Sequence, residues 1–200
     1  IFEEDSSNIS VQFILDESTL SPEKIFRRMS SIAFGMFNDI LLGLLSDDKS
    51  NLQTLANRDD EIDRQYFLLV RLIRSTMVDK RLAGIFNLEN IDILDYRIAA
   101  NLLETGGDTI VELANSLATT SLSKTDLKKI YSITKDIETI HKKSIDAFID
   151  NNRSLAIEAI NLHRKYQQKS SDIRSSSEQK TQAPIDFLDL IYLFERVERC

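Results

Sequence analysis

Two hundred residues with 42% hydrophobic and 28% charged side chains make one or two globular domains with chain enough for a core. Five glycines and two prolines fall far below the roughly 12% of average usage, which excludes a many-stranded sandwich or barrel and its frequent turns. A net charge of −7 and a pI near 5.0 disfavour nonspecific nucleic-acid binding and suit cation binding. The single cysteine, Cys200, excludes an intramolecular disulfide or a thiolate zinc cage.

The chain opens Ile1-Phe2-Glu3-Glu4, without a Met or a basic leader, and is expected to start inside a longer protein. Ile9, Val11, Phe13 and Leu15 alternate weakly, as in a short strand or extended arm whose partner strand is expected in a region before residue 1. Ser21-Pro22-Glu23 predicts a helix start: an N-cap hydroxyl, a proline at the first helical position and an acid in the first turn. Phe26, Met29, Ala33, Met36, Ile40 and Leu44 then mark one face of helix 1, and Asp47-Asp48-Lys49-Ser50 its closing turn. Helix 2 carries Leu52, Leu55, Ile62, Tyr66, Leu69, Ile73 and Met77 in phase. Gly84 and the stretch from Asn87 to Asn90 break the pattern. Helix 3 runs from about Ile91 to Ala118, with Leu94, Ile98, Leu102, Leu103, Ile110, Leu113 and Leu117 as its stripe.

The cycle then restarts. Ser123 and Asp126 have capping-box spacing before helix 4, which carries Leu127, Ile130, Ile133, Ile137, Ile140, Ile145 and Phe148. Asn151-Asn152 is a turn, and Ala156, Ala159, Ile160, His163 and Tyr166 begin helix 5. Residues 167–182 hold one aliphatic and read as a frayed helix end and a flexible polar loop. Pro184 precedes helix 6, marked by Phe187, Ile191, Phe194 and Val197; no stop signal follows, so the C-terminus is expected to be cut short. The expected fold is all-α: two tandem three-helix bundles of long helices, about 28–32 residues each, over 21–120 and 121–200, with 1–20 as an extended arm.

Two places invite a chemical reading. In Arg58-Asp59-Asp60-Glu61-Ile62-Asp63-Arg64, Asp59 and Asp63 share one helix face; Glu104 and Asp108, flanking Gly106-Gly107, repeat the spacing. Stacked like charges repel in a helix, and a bound cation would relieve them. At this acid content roughly five such pairs arise by chance, most of them solvated faces. Context raises these two: Asp59 falls on the apolar seam of helix 2, and a mid-helix glycine pair costs about 2 kcal/mol against alanine unless helices approach closely there. Arg97, Asn101, Glu104, Asp108 and Asn115 form a polar stripe, with Arg97 and Asn101 either tying down a carboxylate or orienting ligands. Glu138 and His141 make one E-x-x-H unit, but Ile160 stands where a second Glu would precede His163, so a di-iron oxidase fails on its second half. His163 reads as a satisfied core histidine, and His141 stays open as a phosphotransfer residue. No Walker loop, dinucleotide fingerprint or nucleophile elbow is present.

At RDDEIDR with the Tyr66-Phe67-Leu68-Leu69-Val70-Arg71 helix, and at DYRIAANLLETGGDTIVELA, the chain resembles the PhoU family of phosphate-uptake regulators, over about residues 21–200. The resemblance implies two three-helix repeats, each with an acidic E/D-x-x-x-D motif on two helices, and matches Asp59, Asp63, Glu104 and Asp108 to the metal ligands of the first. The second repeat departs from it: Glu195 is followed four residues on by Arg199, and Asp172 is isolated on helix 5. The resemblance further implies a divalent or trivalent metal (Fe, Mn, Mg or Zn), no enzymatic activity, a cytoplasmic location and no membrane insertion. It implies docking to the ATPase subunit of a phosphate ABC transporter, to a sensor kinase or to both, and allows a homodimer. The alternative it carries is a transcription regulator with an AbrB-like DNA-binding domain before residue 1, as in archaeal-type members, this segment itself touching no nucleic acid. A metal-dependent enzyme ranks third, because no nucleophile or base accompanies the carboxylates.

Overall fold

The computed structural model describes residues 2–4, 9–11, 20–46, 49–178 and 185–200. Two short strands, β1 (Phe2–Glu4) and β2 (Ile9–Val11), pair antiparallel with Phe2 opposite Val11. The strand expected to seek a partner upstream thus has one inside the chain; the rest of its expected run, with Phe13 and Leu15, lies outside the described residues. Seven helices follow: α1 (Pro22–Leu45), α2 (Leu55–Val78), α3 (Lys80–Ile85), α4 (Asn90–Thr119), α5 (Lys124–Ile149), α6 (Arg153–Glu178) and α7 (Ile185–Arg199). Helix α1 begins as its sequence dictates, with Pro22 at the first position and the Ser21 hydroxyl accepting from Lys24 N at 3.3 Å. Glu89 and Asp92 make a reciprocal capping box at α4 that was not foreseen. At α5 only half the expected box forms: the Ser123 hydroxyl accepts from Asp126 N, while the Asp126 carboxylate accepts a hydrogen bond from that hydroxyl.

Helices α1, α2 and α4 pack on one another, as do α5, α6 and α7, and the two bundles meet through α1 against α5 and α4 against α7. One apolar core runs through both: Phe26 of α1 lies 5.1 Å from Phe148 of α5, and Phe37 of α1 meets Phe194 of α7 edge-on at 6.1 Å. A cavity of about 150 Å³ remains at the junction, lined among others by Phe34, Phe37, Ile110, Ile137, His141 and Cys200.

Three expectations change. Most helices are shorter than 28 residues, because a 3₁₀ turn (Ser50–Thr54) and the short α3 take residues assigned to longer helices. Helix α6 continues through Glu178, so the stretch expected to fray is largely helical; the polar loop and Pro184 fall outside the described residues. On α4 the core face is Ile93, Ala100, Leu103, Gly107 and Ile110, while Leu94, Ile98 and Leu102 of the expected stripe are exposed. Arg196 meets Glu112 and Cys200 approaches Gly106, so α7 packs on the C-terminal half of α4. Among the described residues no helix is long and apolar enough to cross a membrane.

Candidate functional site

The seam between α2 and α4 brings the four sequence-selected acids together. Asp59 and Asp63 lie one turn apart on α2, and Glu104 and Asp108 one turn apart on α4. Asp59 feels all three of the others, Asp63 and Glu104 both feel Asp108, and Glu104 also feels Asp63. What lets the helices close here is Gly107. A Cβ at that position would run into Asp59 Oδ1 and come within 3.0 Å of Ile62 Cδ1, so the mid-helix glycine marks the close approach its cost implied. Gly106 is less constrained, its nearest neighbour being Cys200 Cβ at 3.3 Å.

The arginines that flank the motif do not neutralise these acids. Arg58 pairs with Asp39 of α1, crossing over Gly35, while Arg64 and Arg28 both bind Glu61. Among the described residues no ion pair reaches Asp59, Asp63, Glu104 or Asp108, and Asp59 Oδ1 is buried with no hydrogen-bond partner. The electrostatics follow. Burial pushes the Asp59 carboxyl up to about 7, and the nearby charges of Asp108, Asp63 and Glu104 add to it. Burial first, then Asp108, raises both Asp63 and Glu104.

A carboxylate-only donor set with an orphaned buried oxygen fits a hard cation, which would supply the missing positive charge. Among the described residues, no three His, Cys, Asp or Glu side chains are already gathered into a coordination shell. Asp59, Asp63, Glu104 and Asp108 are therefore neighbours with a charge deficit, and ligation would draw their side chains together. Arg97 makes no ion pair with these acids among the described residues, though its charge favours the ionised form of Glu104. Its guanidinium lies 5.2 Å from the centre of the Tyr66 ring, whose hydroxyl donates to Asn101 Oδ1 at 3.4 Å.

The histidines fall elsewhere. His141 lies beside Phe34 with Nε2 3.0 Å from the Ser30 hydroxyl, and burial pushes its pKa down, an enclosed setting for a phosphotransfer residue. His163 Nδ1 sits 2.5 Å from Glu198 Oε1, joining α6 to α7. The Glu198 side chain is only 1% exposed. Sequence reasoning gave His163 a partner but did not name Glu198, which is 35 residues away and visible only once α6 and α7 are docked.

Residues 26–117 match the family model of the PhoU domain. The fold is similar to the crystal structure of the phosphate transport system regulatory protein PhoU from Streptococcus pneumoniae, at 18% identity and a TM-score of 0.74, over 89% of this chain and 86% of that one. It is also similar to the crystal structure of PhoU from Pseudomonas aeruginosa, at 13% identity and a TM-score of 0.59, over 89% and 87%. No curated protein matches the sequence.

Proposed function

We propose that the protein is a cytoplasmic, non-catalytic regulator of phosphate uptake whose state depends on a bound metal ion; the reading is supported by the PhoU-domain match over residues 26–117 and by the likeness of the fold to PhoU structures over most of the chain. Asp59 and Asp63 of α2 and Glu104 and Asp108 of α4 would hold that ion. The chemistry it supplies is charge neutralisation and a cross-link between two helices. The observation that carries the reading is the Asp59 carboxylate, with one oxygen buried and unpartnered beside three further acids with which, among the described residues, no arginine forms an ion pair. A solvated acidic face would not place a carboxylate there. Hard cations such as Mn²⁺, Mg²⁺ or iron suit the donor set better than Zn²⁺, which favours nitrogen and sulfur. The regulator would act by docking to the ATPase subunit of a phosphate transporter, to a sensor kinase or to both, presenting long exposed helical faces.

The test is elemental analysis of protein purified without chelators, beside an Asp63→Ala/Asp108→Ala variant, followed by incubation of both with Fe²⁺, Mn²⁺, Zn²⁺ and Mg²⁺. Stoichiometric metal in the wild type, lost in the variant, is the expected result. No uptake by either protein would leave the acids as docking or surface charge. Retention on the immobilised ATPase subunit, with and without metal, checks the docking half.

A further inference from the structure

The seam between α6 and α7 takes the place in the second bundle that the α2–α4 seam has in the first, packed less extensively and without its charge. Ser170 of α6 meets Glu195 of α7, and Tyr166 lies among Glu195, Glu198 and Arg199. The α6 side of this seam thus carries two hydroxyls at the spacing of the two carboxylates of α2, and Arg199 follows Glu195 at the spacing by which Asp108 follows Glu104. Ser170 and Tyr166 are fully buried. The remaining carboxylate, Glu195, is largely buried and fully committed. The Ser170 hydroxyl donates to Oε1 at 2.6 Å. Arg174 Nη2 lies 2.6 Å from Oε2, an ion pair whose angle falls outside that of a hydrogen bond, and Arg199 Nη2 lies 3.7 Å from the same oxygen. Glu198, the other acid of this seam, is bound to His163. A metal does not fit here: each acid already has a cationic or hydrogen-bonding partner, and Arg174 and Arg199 would repel a cation.

We infer that the α6–α7 seam is a permanently neutralised counterpart of the α2–α4 seam, with Arg174 and Arg199 supplying the positive charge that a metal supplies in the first repeat. This rests on the metal reading proposed above and adds an asymmetry to it. Cation binding stiffens α2 and α4 alone, and the second repeat packs the same way whether metal is present or not. A guanidinium on its own chain cannot be withdrawn by a change in metal supply, so only one half of the molecule responds.

The experiment uses the full chain and Mn²⁺. Hydrogen–deuterium exchange is followed with and without the ion in the wild type, and melting is followed for Arg174→Met/Arg199→Met with and without Glu195→Gln. Expected are Mn²⁺-dependent protection confined to 55–78 and 90–119, and a fall in Tm of roughly 5–10 °C in the double arginine variant, because removing the partners of a buried carboxylate leaves its charge uncompensated. Adding Glu195→Gln is expected to recover at least half of that fall. Mn²⁺-dependent protection in 153–178 or 185–199 that disappears with Glu195→Gln overturns the inference. So does an unchanged Tm in the arginine variant, or a loss that Glu195→Gln does not rescue. If the wild type takes up no Mn²⁺, it is the metal reading of the first seam that fails; the arginine role is then decided by the melting series alone.

Discussion

Two partly buried titratable side chains pull the pH dependence of stability in opposite directions. The Asp59 carboxyl, pushed up to about 7 by burial and by Asp108 and Asp63, keeps a proton in the folded chain that the unfolded chain releases near pH 4. Between about pH 4 and 7 the folded state binds more protons, so this residue's contribution falls as pH rises through that window and is flat above it. His141 has the opposite sign. Burial keeps it neutral when folded, while the unfolded imidazole takes a proton below about pH 6.5, so its contribution is lost as pH falls. Melting of metal-stripped protein from pH 5 to 8 separates the two. Asp59→Asn should raise Tm at pH 8 by roughly 3 °C, about 1 kcal/mol after discounting for partial exposure, and should steepen the loss on acidification. His141→Gln should make Tm rise as pH falls from 7 to 5. Superimposable profiles for Asp59→Asn and wild type would show that no carboxyl is strained at this seam. The four acids were legible from spacing, the apolar register of Asp59 and the glycine pair beside Asp108. What spacing could not show was that Arg58 and Arg64, adjacent in sequence, turn to Asp39 and Glu61 and leave the cluster unneutralised.

Among the helices, the glycines of α4 and α3 form a graded series. Gly84 has nothing within 4 Å of an added Cβ, Gly106 has one tight neighbour, Cys200 Cβ at 3.3 Å, and Gly107 would meet Asp59 and Ile62. Alanine improves helix propensity by up to about 1 kcal/mol at any of them, and overpacking offsets that gain by about 1–3 kcal/mol only where there is no room. Thermal melts should therefore rank Gly84→Ala as stabilising, Gly106→Ala as near neutral and Gly107→Ala as destabilising by about 1 kcal/mol. Gly107→Ala should also weaken Mn²⁺ uptake, because Asp59 must move aside. A Gly107→Ala protein as stable as Gly106→Ala would mean that α2 and α4 are not in close contact here. Helix positions were legible for the same reason: periodicity and caps are local. The face that α4 buries was not, since it depends on where α1, α2 and α7 pack on it. Nor was the C-terminal half of α6, whose serine-rich sequence looks solvated but gains Ser170 and Arg174 as partners for Glu195.

Across the whole molecule, repetition in the sequence suggests two bundles that fold separately, yet the packing joins them through one core. Phe194 of α7 is fully buried and meets Phe37 of α1 edge-on, close to the cavity at the junction. Tyr96 of α4 likewise meets Phe26 edge-on, and Phe148 of α5 packs tilted against it. Each bundle therefore leaves large apolar surface exposed when the other opens, which couples their unfolding. Helix α7 packs more extensively on α4 than on α5 or α6, so the second bundle depends on contacts across the junction. Phe194→Ala should cost about 3–5 kcal/mol by enlarging a void that cannot collapse against rigid helices. The loss should fall first on α5, α6 and α7. Native-state hydrogen exchange in low denaturant is the measurement: the wild type should lose protection in both bundles together, and the variant should open α5–α7 while α1, α2 and α4 stay protected. Uniform loss across all the helices in the variant would show that the junction is no weaker than the bundles it joins, and that a signal received at the α2–α4 seam is shared by the whole molecule rather than held in its first half.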